Sequence, residues 1–341
     1  MTPSYLLAAD VGGTKTEIAW GHIAAGRIEI VARRVYSSGD YATLEALIDD
    51  FSAALESAGH RIASSSACLA VAGPVDGDTA SLTNLPWRIQ GATLAARYRL
   101  HAARIINDFE GVGHGLVHLA PDELLSLQAG ERHAEGARVA VGAGTGLGVA
   151  VLTCHGGRYH VHPTEAGHMD FAPTDAVQDE LLEWLRSELG HVSYERILSG
   201  SGLTRVFQFL MECGYGLPST VLQQAIEGDQ AASVISALGL QGRDPLAARA
   251  LDVFAHVYGA FAGNMALALL ARGGVYIAGG IAPKIADKMA DGRFMQAFLD
   301  KGRFRDFLTT IPVDVVMNPA VGLYGAFEVA SRLAADTMPR I

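Results

Sequence analysis

One plan occurs twice in this chain and limits what it can fold into. An apolar run stops at a turn built of glycine and threonine, and a second apolar run follows. The first copy is Tyr5-Leu6-Leu7-Ala8-Ala9, then Asp10-Val11-Gly12-Gly13-Thr14-Lys15, then the alternating Thr16-Glu17-Ile18-Ala19-Trp20. The second is Ala137 to Val141, then Gly142-Ala143-Gly144-Thr145-Gly146, then Leu147 to Leu152. Each reads as a buried strand, a tight turn and a returning strand. The two copies share a plan but little sequence, so they mark an internal structural repeat.

Around these copies strands alternate with helices, which is an α/β signature. Arg27 to Tyr36 reads as a third strand, followed by a helix over Thr43 to Ala58 with apolar Leu44, Leu47, Ile48, Phe51 and Leu55. Ala67 to Ala72 and Arg104 to Ile106 read as strands, and Thr93 to Tyr98 as a helix. The chain beyond Asp175 reads as mostly helical, at 176–189, 201–213, 219–226 and 245–271. Strands are expected at 274–278 and 312–317, and a closing helix at 322–334.

The 341 residues suffice for two cores. Half are apolar and 18% are charged, which excludes a disordered or fibrous chain. The net charge of -10 counts against sequence-independent nucleic-acid binding, although a local loop can still take an anion. Cys68, Cys154 and Cys213 form no CxxC pair and read as reduced, mostly buried thiols of a cytoplasmic protein. Met1 to Tyr5 lacks a positive leader region, and Asp10 interrupts the apolar run behind it, so no signal peptide is expected. The apolar stretch from Ala260 to Ala271 is too short for a bilayer and reads as a core helix, so no membrane partner is expected.

Several polar groups stand where such a framework does chemistry. Gly12 and Gly13 let backbone N–H groups approach phosphate oxygens, Thr14 adds a hydroxyl and Lys15 a charge, and Asp10 at a strand end can hold magnesium. Gly142 to Gly148 offers a second phosphate-facing loop; Val149 to Leu152 after it read as strand, so it is no dinucleotide fingerprint. Asn107-Asp108 closes an apolar strand at its carboxyl end, where α/β sheets bind ligands. Asp108 suits a general base, but taken alone the commoner reading of such a residue is the N-cap of a helix starting near Phe109. Glu165 and His168 can face sugar hydroxyls, and zinc ligation by Glu165, His168, Asp170 and His162 lacks a recognised spacing. Glu195 fits a surface ion pair with Arg196, and Gly279-Gly280 a flat floor for a base.

Taken in order, these segments resemble the bacterial glucokinase family of the actin-like ATPase superfamily. The matching stretches are Asp10 to Thr14, Ile105 to Phe109, Gly142 to Gly148, Glu165 with Gly167 to Pro173, His191 to Ser193 with Glu195 to Gly200, and Ile277 to Ile281. The resemblance implies a two-domain fold with a ribonuclease H-like repeat and a sugar-kinase cleft between the domains. It puts residues 1–110 and 320–341 in a small domain and 111–319 in a large one. It implies transfer of phosphate from Mg-ATP to the 6-hydroxyl of D-glucose by a cytoplasmic homodimer. The alternative is a kinase of mannose or an N-acetylhexosamine.

Residue by residue, the resemblance makes Asp108 the catalytic base and gives Asn107, Glu165, His168 and Glu195 to the sugar. Ala9, Asp10, Val11, Gly12, Gly13 and Thr14 would take the ATP phosphates, with Asp10 near magnesium. Gly144, Thr145 and Gly146 would lie toward the γ-phosphate, and Gly279 and Gly280 beside the adenosine. Lys15 departs from the family, where an Asn-like residue is expected, and matches the related repressor–open-reading-frame–kinase group. The cysteine-rich zinc motif of that group is missing, so no zinc is expected. Thr164 and Ala166 replace the glycines usual around the Glu and bear on sugar breadth.

Overall fold

The computed structural model describes residues 4–82, 85–225 and 230–337. In chain order the strands are β1 (Leu6–Val11), β2 (Lys15–Ala24), β3 (Arg27–Ser37), β4 (Ser66–Val71), β5 (Val75–Asp76), β6 (Thr79–Ser81), β7 (Arg88–Gln90), β8 (Ala102–Asn107), β9 (Leu124–Gln128), β10 (Arg138–Ala143), β11 (Leu147–His155), β12 (Arg158–Thr164), β13 (Gly274–Ala278) and β14 (Val313–Val316). The helices are α1 (Leu44–Ser57), α2 (Gly91–Tyr98), α3 (Asp108–Gly115), α4 (Ala176–Leu189), α5 (Gly200–Glu212), α6 (Thr220–Ala225), α7 (Ala231–Leu240), α8 (Pro245–Leu269), α9 (Ala286–Ala290), α10 (Arg293–Leu299), α11 (Arg305–Thr309) and α12 (Val321–Thr337).

Two compact units result. The first comprises Met1–Pro121, Val161–Pro163 and Asn318–Ile341, and the second Asp122–His160 and Thr164–Met317. The sheet of the first unit has the order β3-β2-β1-β4-β8. Its strands β1, β2 and β3 are antiparallel, and β4 and β8 run parallel to β1. Side chains alternate across β1. Leu7, Ala9 and Val11 pack with Leu47, Phe51 and Leu94, whereas Leu6 and Ala8 pack with Leu323 and Phe327. Helices α1 and α2 thus supply one face of this sheet and α12 the other, which explains why β1 carries no polar residue before Asp10. The pairs β5–β6 and β6–β7 form a separate small sheet.

The second unit repeats this order as β12-β11-β10-β13-β14 and adds β9 antiparallel at the outer edge. The hairpin β10–β11 corresponds to β1–β2, and β13 and β14 follow in parallel like β4 and β8. Its core gathers Val139, Val141, Phe207, Phe254, Phe261, Phe294 and Ile277. Helix α8 begins at the Asp244 cap, whose carboxylate accepts the Ala247 N–H at 2.8 Å, with Pro245 in the first turn. It ends at Leu269 because Leu270 turns left-handed (φ 47°).

Several elements were not evident in the sequence. Strands β9 and β12 are edge strands with mixed side chains; β9 is mostly half-exposed and shows no period of two, and β12 is largely exposed, its alternation confined to Arg158–His162. Helix α7 is short and buries only part of one face, and α9 to α11 are each a turn or two. Met1 to Pro3 and Ile226, which carry part of the leader reading and of the 219–226 helix, lie outside the described residues. The thiols also differ from expectation: Cys68 is buried, but Cys154 is half-buried and Cys213 exposed. No helix among the described residues is long and apolar enough to cross a membrane.

Candidate active site

In the first unit, β1 and β2 hydrogen-bond up to the pair Val11–Thr16, and the chain between them turns at Gly12. The Gly12 N–H donates to the Lys15 carbonyl at 3.0 Å, and a Cβ at Gly12 would sit 2.9 Å from that same oxygen. The turn is held from behind by residues that sequence reasoning missed. The Ser38 hydroxyl donates to the Gly12 carbonyl at 2.7 Å, and the Ser38 N–H to the Thr14 carbonyl at 2.9 Å. With its proton so used, Ser38 accepts from the Thr16 hydroxyl at 2.9 Å. Ser38 and Thr16 are fully buried. No local sequence signal marks Ser38, because its partners are brought in by the β2–β3 pairing.

Asp10, next to last in β1, lies directly opposite Glu17 on β2. Burial, then the charges of Asp108 and Glu17, push its carboxyl up from 3.8 to about 7, against the opposing pull of Lys15. A Cβ at Gly322, in the first turn of α12, would reach within 3.0 Å of Asp10 Oδ2, so glycine there leaves the carboxylate its space. Lys15 does not lie free over the turn: its Nζ is 3.5 Å from Glu17 Oε2, and Arg33 holds the other Glu17 oxygen.

Asn107 and Asp108 divide the roles at the end of β8 differently from expectation. Asn107, not Asp108, caps α3: its Oδ1 accepts the N–H groups of Phe109 (2.9 Å) and Glu110 (3.3 Å), and its Nδ2 donates to the Gly73 carbonyl at 3.3 Å. Asp108 is the first helical residue, its Oδ1 accepting the Phe109 N–H at 2.9 Å. A carboxylate in that position gains from the helix dipole.

In the second unit the turn between β10 and β11 is closed by the Gly144 N–H on the Gly146 carbonyl at 2.8 Å. Gly279 follows β13 with φ +78°, and a Cβ there would lie 2.5 Å from the Ala143 carbonyl. Gly280 has open space around it, and its nitrogen is 4.0 Å from where a Gly144 Cβ would be. The two glycine segments that the sequence paired with nucleotide therefore meet at one sheet end.

Glu165, His168 and Glu195 also come together. His168 Nε2 lies 3.8 Å from Glu165 Oε2, and its Nδ1 lies 4.0 Å from Glu195 Oε1. Glu165 is mostly exposed, whereas Glu195 is held: the Leu147 N–H donates to its Oε2 at 2.9 Å. The expected partner for Glu195 was its neighbour Arg196, and a backbone amide forty-eight residues away is what it takes. Asp170 pairs with His191 at 3.4 Å.

Among the described residues no group of three or more His, Cys, Asp or Glu has metal-binding geometry. Magnesium asks less of a protein: one or two hard carboxylate oxygens, with water and substrate phosphate supplying the rest. Asp10 offers one such oxygen, with space beside its Oδ2 that a side chain at Gly322 would fill, so it fits that ion.

Two units, each with a core sheet ordered 3-2-1-4-5 and a glycine turn after its first core strand, give the duplicated α/β plan of the actin-like ATPase fold. The glucokinase family model matches residues 7–333. The chain belongs to the glucokinase family. It is 38% identical to the glucokinase of Trichormus variabilis over 96% of this chain and 99% of that one. It is 40% identical to the Synechocystis glucokinase over 96% and 98%. Among solved structures, a glucokinase from an Antarctic psychrotroph matches with a TM-score of 0.83 at 28% identity, covering 96% of this chain and 99% of that one. A glucose-bound glucokinase from Balamuthia mandrillaris shares the fold, with a TM-score of 0.78 at 22% identity and coverage of 96% and 94%.

Proposed function

We propose that this chain transfers the γ-phosphoryl group of ATP to the 6-hydroxyl of D-glucose, giving glucose 6-phosphate and ADP. The observation that carries this reading is the placement of Asp108, at the carboxyl end of a parallel strand and beside Asp10, in a chain of the glucokinase family. Asp108 acts as general base: it takes the proton of the 6-hydroxyl as that oxygen attacks the γ-phosphorus and the bond to the β-phosphate oxygen breaks. Asn107 fixes the start of α3 and so aims Asp108, and its remaining amide N–H is left for the sugar. Glu165, His168 and Glu195 take the other hydroxyls, the carboxylates accepting and the imidazole donating or accepting.

The backbone from Ala9 to Thr14 and the turn Gly144-Thr145-Gly146 receive the phosphates, and Gly279-Gly280 lies beside the adenosine. Little covalent work is asked of the protein; orientation and charge neutralisation carry the rate. Asp10 would hold magnesium, which when bound neutralises phosphate charge. With a cation beside it, Asp10 stays ionised at neutral pH. A cytoplasmic homodimer belongs to the same reading and rests on the family resemblance.

ADP release from Mg-ATP, measured with glucose, mannose, fructose, N-acetylglucosamine and no sugar, tests the proposal. Turnover that depends on glucose supports it. Turnover without sugar points to an ATPase instead. A preference for mannose or the N-acetylated sugar reassigns the substrate.

A further inference from the structure

Leu147, the first residue after the glycine turn of the second unit, is clasped by the sugar cluster on both sides of its peptide. Its N–H donates to Glu195 Oε2 at 2.9 Å. Its carbonyl lies against Gly167, where an added Cβ would come within 2.1 Å of the oxygen. A second tie joins the same segments: the Gly200 N–H donates to the Gly144 carbonyl at 2.9 Å. Glu195 itself stands on firm ground. Tyr194 before it is buried between Phe171 and Phe261 and accepts from Asn264, and the Ser199 hydroxyl donates to the Glu195 carbonyl at 2.8 Å. Its second oxygen, Oε1, faces His168 and is free of the Leu147 amide.

One carboxylate thus has one oxygen on the glycine turn and the other toward the sugar cluster. We propose that Glu195 is a positioning residue that couples sugar occupancy to the turn Gly144–Gly146, so that glucose and ATP bind cooperatively through the Leu147 amide. This deepens the function proposed above and rests on it. A hydroxyl seated on Oε1 fixes the Glu195 torsions, and Oε2 then fixes the Leu147 amide. The turn is ordered before the γ-phosphate arrives, and the ordering cost is no longer drawn from ATP binding. By linkage, ATP tightens glucose by the same factor.

Gly146 gives a sharp test. Its backbone is outside the left-handed region, and a Cβ there would meet only Glu195, 2.6 Å from Oε2. Gly146→Ala therefore evicts a flexible carboxylate without obstructing the fold. Binding of a non-hydrolysable ATP analogue is measured by calorimetry with and without saturating glucose, alongside KM for each substrate. The unmodified enzyme is expected to bind the analogue about fivefold or more tighter with glucose present. In Gly146→Ala that ratio falls to about one, and KM for glucose rises about tenfold although residue 146 is not assigned to the sugar.

The pair Gly146→Ala with Glu195→Asp, whose shorter side chain clears the methyl, is expected to recover part of the ratio, which a merely structural defect would not do. Glu195→Gln keeps the shape with a weaker acceptor and lowers the ratio as a second probe. A ratio of one in the unmodified enzyme, or a Gly146→Ala variant that raises only KM for ATP, overturns the coupling. Glu195→Ala with unchanged KM for glucose would instead remove the assignment of Glu195 to the sugar.

Discussion

In the proposed function, adjacent side chains at the end of β8 have different duties, cap for Asn107 and base for Asp108, and exchanging either for alanine separates them. Asn107 spends its amide on two N–H groups of α3 and on the Gly73 carbonyl. Asn107→Ala is expected to cost about 1 kcal/mol of stability, read by urea melts, and to lower turnover by misplacing its neighbour. Asp108→Ala leaves the cap intact. It is expected to cut kcat by about 10²–10⁴-fold while glucose binding by calorimetry is largely kept. Near-normal kcat would remove Asp108 from the role of base. The sequence placed both residues at a strand end but could not say which one caps the helix, because Asn and Asp both serve as N-caps; the helix start, at Asp108, gives that role to Asn107. Glu195 was less legible still. Its neighbour Arg196 offered an obvious partner, and the Leu147 amide that it takes is visible only once two distant segments are folded together.

At the scale of elements, the two glycine hairpins were readable because a buried strand, a tight turn and a returning strand leave a local mark. What buttresses them was not. The Ser38–Thr16 hydroxyl pair lies behind the first turn and is fully buried. Ser38→Ala leaves the Gly12 carbonyl without its donor and loosens the turn. KM for ATP is expected to rise several-fold with KM for glucose little changed, and Ser38→Thr should restore part of the loss. An equal rise in both constants would make Ser38 a general stability residue. Helices α3 and α12 meet through glycines in the same way. A Cβ at Gly115 would lie 1.9 Å from the Val321 carbonyl oxygen, and one at Gly325 would lie 1.7 Å from the Gly111 oxygen. Both neighbours are backbone and cannot yield. Gly115→Ala or Gly325→Ala is expected to cost about 3 kcal/mol or more by thermal or urea unfolding, since overpacking against a rigid backbone has no relief. The spacing of these glycines was in view in the sequence, but nothing local says that two helices far apart in the chain cross there.

For the molecule as a whole, the repeated plan forecast two sheets of one kind, and both have the order 3-2-1-4-5. The repeat did not reveal how the chain closes the first unit. Helix α12 returns from the far end to cover a face of β1 and β4 with Leu323, Ala326 and Phe327. Glu328 on that helix accepts from His118 Nε2 at 2.8 Å and from Arg332 at 2.7 Å, so a residue of the segment after α3 is tied to the C-terminal helix. The His118 hydrogen bond, against the opposing effect of burial and with help from Arg332, holds the Glu328 carboxyl at about 2, below its ordinary 4.5. Between those two values the unfolded chain binds the proton and the native one does not. The tie therefore stabilises the fold above pH 4.5 and is lost as pH falls toward 2. That difference corresponds to about 3 kcal/mol at neutral pH. Glu328→Gln is expected to lower stability by roughly that amount at pH 6, where the carboxylate is charged in both states. The difference from the unmodified enzyme should shrink steadily in urea melts taken at pH 4 and pH 3. A deficit that stays constant across that range would mean that Glu328 acts through packing alone, and the closure of the first unit would then rest on the apolar face of α12 without an ionic tie.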